Sequence, residues 1–164
     1  MVSFSEFVDA PWQAKIALAT LVFALLFSAF TDVRERRILN AVTYPALLVA
    51  AVCALSLGGF ALVAESALGA LVCTLPLAAA MWRGWMGAGD VKLMAVSGLV
   101  SATAAGWTFS VLVLLDVAIA GGVQALLWLL AAKARHRDRP KSVPYGVAIA
   151  LGTAWAFLTG APLF

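Results

Sequence analysis

The sequence predicts an all-α polytopic membrane protein with about six transmembrane helices. The first observation is composition: 64% of the residues are hydrophobic and only 12% are charged, whereas a soluble domain is about 45–50% apolar and about 25% charged. The second is the mean hydropathy of +1.02. The third is length: a span needs about 20 apolar residues, and 64% of 164 residues, about 105, are enough for five or six spans. We therefore expect one integral membrane domain over residues 1–164, and the composition excludes a disordered chain or a nucleic-acid-binding domain.

The first three apolar runs are separated by short polar breaks. Residues 16–30 form the first run, which stops at the charged segment TDVRERR. Residues 41–57 form the second, and only Gly58-Gly59 separates it from the third, residues 60–82. Backbone groups cannot stay unpaired in lipid, so each run is predicted to be a helix. The short glycine connection predicts that the second and third helices form an antiparallel hairpin.

The remaining three runs follow a glycine-rich break, RGWMGAGD. The fourth run, residues 91–105, is short, because about 15 residues barely cross a core of about 30 Å at 1.5 Å per residue. The fifth run covers residues 107–132 and contains Asp116. The basic segment KARHRDRPK separates it from the sixth run, residues 143–163.

The basic residues predict the orientation of these helices. With six spans the loops alternate between the two sides of the membrane, and every Lys and Arg except Lys15 falls on the same side. The positive-inside rule makes that side cytoplasmic. We therefore expect a protein of the cytoplasmic (inner) membrane with both termini outside the cytoplasm.

Two carboxylates stand out, because charges in membrane spans are costly and are functional candidates by default. Asp32 ends the first helix and Asp90 begins the fourth, both on the predicted cytoplasmic side. Two neighbouring carboxyl groups share a proton, so one activates water while the other donates to a carbonyl oxygen. A second interpretation is that Asp32 is an interfacial residue and Asp90 an N-cap. Spacing alone leaves both interpretations open.

The residues before Asp90 favour the catalytic interpretation. Gly87 and Gly89 flank Ala88 in the tetrapeptide GAGD. Glycine lets a backbone adopt unusual dihedral angles and lets another chain approach closely. A protease that acts at a membrane must hold its substrate extended, since a helix hides the scissile carbonyl group. A glycine loop directly before a catalytic Asp suits that need.

Three segments carry a resemblance to a known family. GAGDVKLMA, residues 87–95, resembles the GxGD motif of prepilin peptidases, the aspartic endopeptidases that process type IV pilin precursors. DVRERRILN, residues 32–40, is similar to the family's first motif, although Leu39 replaces the usual proline. SVPYGVA, residues 142–148, resembles a weaker third feature at the start of the last helix.

The resemblance implies specific roles. Asp32 and Asp90 are the implied catalytic dyad, Gly87 and Gly89 match the motif glycines, and Lys92 matches a basic residue common after the motif. The substrate is implied to be a prepilin whose basic leader is removed, and no metal or other cofactor is implied. The chain lacks the cysteine-containing insertion that accompanies N-methylation in the bifunctional enzymes. Its small size resembles the short peptidases of tight-adherence (Flp-type) pilus systems and the archaeal preflagellin peptidases, and the segments GAGDVKLMA and PYGVA favour the first.

Other residues near the dyad have two possible roles each. Arg36 and Arg37 either fix the loop in the cytoplasm or contact an acidic group of the substrate and tune Asp32. Asn40 is expected to cap the second helix. Lys92 follows Asp90 by two residues, about 200° around the helix, and is either a snorkelling anchor or a site residue.

The remaining polar groups support weaker expectations. Asp116, deep in the fifth run, is expected to face the bundle interior near Ser97 or Gln124 rather than to act in catalysis. Cys53 and Cys73 lie in apolar runs without a CxxC spacing, so no zinc site is expected.

Two alternative functions remain open from the sequence. A small transporter or channel would use Asp32, Asp90, Asp116 and Lys92 as ion or proton sites, although no inverted repeat is visible. A non-catalytic membrane scaffold would leave both aspartates interfacial. The lipid bilayer is the environment in each case, no nucleic acid is expected as a partner, and the sequence does not determine the pilin or the oligomeric state.

Overall fold

The computed structural model describes residues 10–134 and 144–160, and these residues are all-α. Polar backbone groups in so apolar a chain are satisfied most economically within helices, which explains the absence of strands from the described residues. Within the described residues, five helices follow one another: α1 (Trp12–Glu35), α2 (Asn40–Trp82), α3 (Ala88–Ala105), α4 (Trp107–Ala134) and α5 (Tyr145–Gly160).

The predicted second and third helices form one element, α2, that contains a sharp break. Gly58 has φ −144° and ψ 17°, and Gly59 has φ 64° and ψ −158°, neither of which is helical. A straight helix of 43 residues would be about 65 Å long. Both ends of α2 nevertheless lie at the start of α3, because Lys92 bonds Asn40 and only residues 83–87 join Trp82 to α3. The chain therefore reverses at the two glycines, giving a first arm (residues 40–57) and a second arm (residues 60–82).

Among residues 10–134 and 144–160, three helices are long and apolar enough to cross a membrane: α1, α2 and the Trp107–Ala131 portion of α4. The shorter α5 is also apolar. The number differs from the predicted six because α2 contains two of the predicted runs and because α3 and the shorter α5 are not among the three. Ten of the 18 residues of α3 are buried among the other helices. A helix surrounded by protein can carry glycine, serine and threonine, whereas a helix facing lipid favours large apolar side chains.

Small and hydroxyl-bearing residues bring α3 into close contact with its neighbours. The second arm of α2 and α3 approach at Gly69 and Gly98, where an added Cβ on Gly98 would lie 2.6 Å from the Gly69 carbonyl oxygen. Ser110 of α4 donates a hydrogen bond to the Gly98 carbonyl oxygen at 2.9 Å. Ser66 and Thr103 share a hydrogen bond of 2.8 Å. These contacts fix the position of α3, which carries Asp90 at its start.

The boundary between α1 and α2 differs from the prediction in two respects. The first helix continues five residues beyond the predicted end at Phe30, so Asp32 lies within its last turn. The helix ends at Arg36, whose N–H still donates to the Asp32 carbonyl oxygen at 3.0 Å and whose left-handed φ of 54° turns the chain out of the helix. The prediction that Asn40 caps α2 is wrong: Leu39 is the N-cap residue and Asn40 is the first helical residue.

Candidate active site

Asp32 is a buried carboxylate in the last turn of α1. Its side chain is only 7% exposed. Its Oδ2 accepts a hydrogen bond of 2.8 Å from the backbone N–H of Gly146, in the first turn of α5. The first turn of a helix has free N–H groups and a partial positive charge, and both stabilise a carboxylate. The residue is thus held by a helix that is distant from it in sequence.

Asp90 occupies the third position of α3 and is half-buried. Its Oδ2 accepts a hydrogen bond of 3.1 Å from the N–H of Gly87, the N-cap residue. Asp90 therefore satisfies one of the unpaired N–H groups at the start of its own helix. Burial raises the pKa of Asp90 to about 6; the hydrogen bond from Gly87 acts in the opposite direction, and the negative charge of Asp32 raises the pKa further. This group lies outside the three candidate spans, before the apolar residues of α3.

Both carboxylates line one cavity of about 220 Å³. Asp32 comes from the end of α1 and Asp90 from the start of α3, so the two lie at the same end of the bundle. The cavity is large enough for several water molecules at about 30 Å³ each. The other lining residues come from the segment after α1 and from the glycine loop before α3: Arg36, Arg37, Ile38, Gly87 and Gly89.

The two motif glycines lie in a confined part of this cavity wall. A Cβ on Gly89 would lie 2.7 Å from Cβ of Ile38, so only glycine lets the two segments approach this closely. A Cβ on Gly87 would lie 3.3 Å from Oδ2 of Asp90. The loop between the second arm of α2 and α3 therefore fits closely against the segment that follows α1.

Lys92 points away from the carboxylates. Its Nζ donates a hydrogen bond of 2.8 Å to Oδ1 of Asn40 and lies 4.8 Å from the centre of the Tyr44 ring. The bond joins the start of α3 to the start of α2, and the ring adds a cation–π contact. Lys92 and Asn40 thus connect the helices that flank the cavity and do not line it.

Of the three arginines that follow Asp32, Arg36 and Arg37 line the cavity. The guanidinium of Arg36 lies 5.6 Å from the centre of the Trp128 ring. This cation–π contact links the end of α1 to the C-terminal part of α4. Arg37 is exposed. Positive charge at the cavity favours the ionised form of a nearby carboxylate.

The structure does not place Asp116 with the dyad. Asp116 lies in the tenth position of α4, near the middle of that helix. The two partners expected for it are bonded elsewhere: Ser97 donates to the Leu93 carbonyl oxygen, and Gln124 donates to the Pro144 carbonyl oxygen. Within residues 10–134 and 144–160, no group of three or more His, Cys, Asp or Glu side chains is arranged to hold a metal ion.

The sequence analysis missed the part of the site that α5 contributes. Gly146 belongs to the segment SVPYGVA, which was singled out at the start of the last helix but was given no role; its residues 142 and 143 lie outside the described residues. No local pattern shows that a backbone N–H from this segment reaches Asp32, 114 residues earlier.

Comparison with protein families gives a match over residues 19–126 to the model of the type IV leader peptidase family. The match covers about two-thirds of the chain and includes both Asp32 and Asp90. The chain belongs to the type IV leader peptidase family. Neither the curated proteins nor the solved structures compared with this chain give a match.

Membership of the type IV leader peptidase family supports the resemblance to prepilin peptidases that the motifs predicted. The family indicates a peptidase that removes the leaders of prepilins. Together with the long apolar helices it indicates an integral protein of the inner membrane. The matched region ends within α4, so α5 and its contact with Asp32 lie beyond it.

Proposed function

We propose that this leader peptidase is an aspartic endopeptidase in which Asp32 and Asp90 activate water to cleave the basic leader of a type IV, Flp-like prepilin. The observation that carries the proposal is that the two carboxylates line one cavity although 58 positions separate them in the sequence. The raised pKa of Asp90, to which the charge of Asp32 contributes, supports a pair that shares one proton at moderately acidic to neutral pH.

The chemistry requires one ionised and one protonated carboxyl group. The ionised member takes a proton from water as the water oxygen attacks the scissile carbonyl carbon, and the protonated member donates its proton to the carbonyl oxygen. The tetrahedral intermediate then collapses: one of its hydroxyl groups returns a proton to the ionised carboxylate, the C–N bond breaks as the leaving nitrogen receives a proton from the other carboxyl group, and a carboxylic acid and an amine result. One water molecule is consumed and the dyad returns to its starting protonation.

We also propose the membrane arrangement. The two arms of α2 and the other four helices together give six apolar segments, and α3 and α5 are surrounded well enough by protein to cross with fewer apolar residues. The dyad then lies at the cytoplasmic face, where the basic residues cluster, and both termini lie outside the cytoplasm. Only residues 36–39 separate α1 from α2, which supports a peptidase without a methylation insertion between them.

Leader release from a reconstituted protein tests the proposal. A synthetic prepilin peptide with a basic leader is incubated with proteoliposomes that contain wild type, Asp32→Asn or Asp90→Asn, and the products are identified by mass. Each variant is expected to lose cleavage by a factor of at least about 10³, since each removes one half of the acid–base pair.

The matched control is Glu35→Gln, which removes a carboxylate charge three residues from Asp32 at an exposed position outside the cavity lining. This variant is expected to cleave at the wild-type rate. Full cleavage by either aspartate variant would refute the dyad. A transporter or channel that uses these carboxylates would instead move ions or protons and leave the peptide intact in every sample.

A further inference from the structure

The first turn of α5 donates a backbone hydrogen bond to Asp32, while its Tyr145 lies within electrostatic range of Asp90. The backbone N–H of Gly146 donates to Oδ2 of Asp32 at 2.8 Å. A Cβ on Gly146 would lie 3.0 Å from that same oxygen and 3.2 Å from Cβ of Asp32. Gly146 is therefore both the donor and the surface against which the carboxylate rests.

Two residues of α4 hold this first turn in place. Gln124 donates from Nε2 to the Pro144 carbonyl oxygen at 2.9 Å. The Tyr145 ring lies on Gly121, where a Cβ would be 2.5 Å from the ring. Gly121 and Gln124 are three residues apart and lie on the same side of α4. The start of α5 is thus fixed from one side by α4, and on its other side it meets Asp32.

The two carboxylates consequently differ in their surroundings. Asp32 is 7% exposed and accepts its bond from the positive N-terminus of a helix other than its own. Asp90 accepts a longer bond, 3.1 Å, from within its own helix start. The cavity that Asp32 lines also holds Asp90 from α3 and Arg36 and Arg37 from the segment after α1. Tyr145 of α5 lies within electrostatic range of Asp90.

We infer that the first turn of α5 is a positioning element that keeps Asp32 as the ionised, water-activating member of the dyad and leaves the shared proton on Asp90. Gly146 is the residue that acts on Asp32, and Gln124 acts through Pro144. This inference rests on the proposed aspartic peptidase function. It assigns a role to a helix that lies outside the region matched by the family model.

Two substitutions at Gly146 separate the effect of its hydrogen bond from the effect of its close packing against Asp32. Gly146→Ala keeps the N–H and adds a methyl group that displaces the carboxylate by a few tenths of an ångström. Gly146→Pro removes the N–H, and proline is tolerated in the first turn of a helix. A hydrogen bond to a charged group is worth about 10- to 100-fold in an equilibrium, so we expect kcat to fall about 10- to 100-fold for Gly146→Pro and less for Gly146→Ala.

The pH dependence of kcat distinguishes positioning from a loss of folded protein. The N–H of Gly146 stabilises negative charge on the oxygen that it contacts, so without it the acid limb of the kcat profile is expected to move upward by about one to two pH units in Gly146→Pro. Gln124→Met, which removes the bond to Pro144 at a distance from the dyad, is expected to move the limb in the same direction by less. The matched control is Gly122→Ala, where a Cβ has no neighbour within 4 Å, and it should retain the wild-type rate and profile.

The variants are assayed in proteoliposomes with the full-length chain, beside Asp32→Asn and Asp90→Asn. If both aspartate variants are inactive while Gly146→Pro keeps the wild-type kcat and acid limb, the inference is overturned and the proposed function stands. A lower kcat with an unmoved acid limb also overturns it, because that result reports a structural role alone. If either aspartate variant is fully active, the proposed function fails and the inference fails with it. If Gly146→Pro does not insert into the membrane, Gln124→Met takes its place in the test. An unmoved acid limb in Gln124→Met then overturns the inference.

Discussion

The tight crossing of α3 and the second arm of α2 makes Gly98 a sensitive position for both stability and activity. In the variant Gly98→Ala, the new Cβ would lie 2.6 Å from the Gly69 carbonyl oxygen, 2.8 Å from Cβ of Cys73 and 3.0 Å from Cα of Ala70. Ordinary contact begins at 3.4 Å, so the two helices must separate by about 0.8 Å. None of the three obstacles is the end of a flexible side chain, and therefore the backbone has to move.

The magnitude follows from two opposing effects. Overpacking of this kind costs about 1–3 kcal/mol, while replacing glycine by alanine in a helix gains about 1 kcal/mol. Gly122→Ala receives the same gain without a clash, because no atom lies within 4 Å of its Cβ. The difference between the two variants therefore isolates the clash, and we expect Gly98→Ala to be less stable than Gly122→Ala by about 1–3 kcal/mol.

Activity should fall more steeply than stability. Asp90 lies two turns before Gly98 on the same helix, so a shift of α3 changes the position of Asp90 relative to Asp32. A misplacement of about 1 Å can cost about 100-fold in rate, and we expect kcat for leader cleavage to fall about 10- to 100-fold. Thermal unfolding in detergent and cleavage in proteoliposomes measure the two effects. If Gly98→Ala matches Gly122→Ala in both assays, the helix crossing does not set the position of Asp90.

Three further predictions concern groups in and around the site. Lys92→Met removes the bond to Asn40 and should lower the free energy of unfolding by about 1 kcal/mol, and Asn40→Ala should give a similar loss. The double variant should lose less than the sum of the two single losses, whereas strict additivity would contradict a shared bond. The value of kcat/KM should decrease as the pH rises through about 6, because the raised pKa of Asp90 means that its proton is lost there, and a profile that stays flat between about pH 5 and 8 would contradict this. Asp116→Asn should cleave prepilin within about twofold of wild type, since Asp116 does not line the cavity; a large loss would give Asp116 a role in the reaction.

Much of the site was predictable because its signals are local. The charge of Asp32 next to basic residues and the glycines before Asp90 are visible within ten residues of each aspartate, and the scarcity of charge in the chain makes both conspicuous. The reversal at Gly58-Gly59 was also predictable, since two adjacent glycines interrupt an apolar run long enough for two helices. The helix ends were predicted less accurately. Helix α1 continues through a charged segment because its last turn packs Asp32 against α5, and that packing is a tertiary contact.

Asn40 illustrates the opposite case. An asparagine before an apolar run is a typical N-cap, but here its side chain accepts a bond from Lys92, 52 residues later. The Asn40 carboxamide bonds Lys92 of another helix, and the N-cap position is occupied by Leu39, whose apolar side chain makes no capping hydrogen bond. A local preference of about 1 kcal/mol is easily overcome by a tertiary bond of similar strength.

The amino-acid sequence by itself determined that this chain is helical and apolar, that most of its charges lie near helix ends, and that Asp32 and Asp90 are the candidates for catalysis, since hydropathy and glycine placement act over a few residues. Only the tertiary structure decided that the two aspartates share a cavity, that Lys92 bonds Asn40, and that Gly146 donates to Asp32. Those relations join residues 52 to 114 positions apart, and they depend on which helices pack together. Packing is set by the fit of small residues such as Gly69 and Gly98 across the whole bundle, which no short segment of sequence contains.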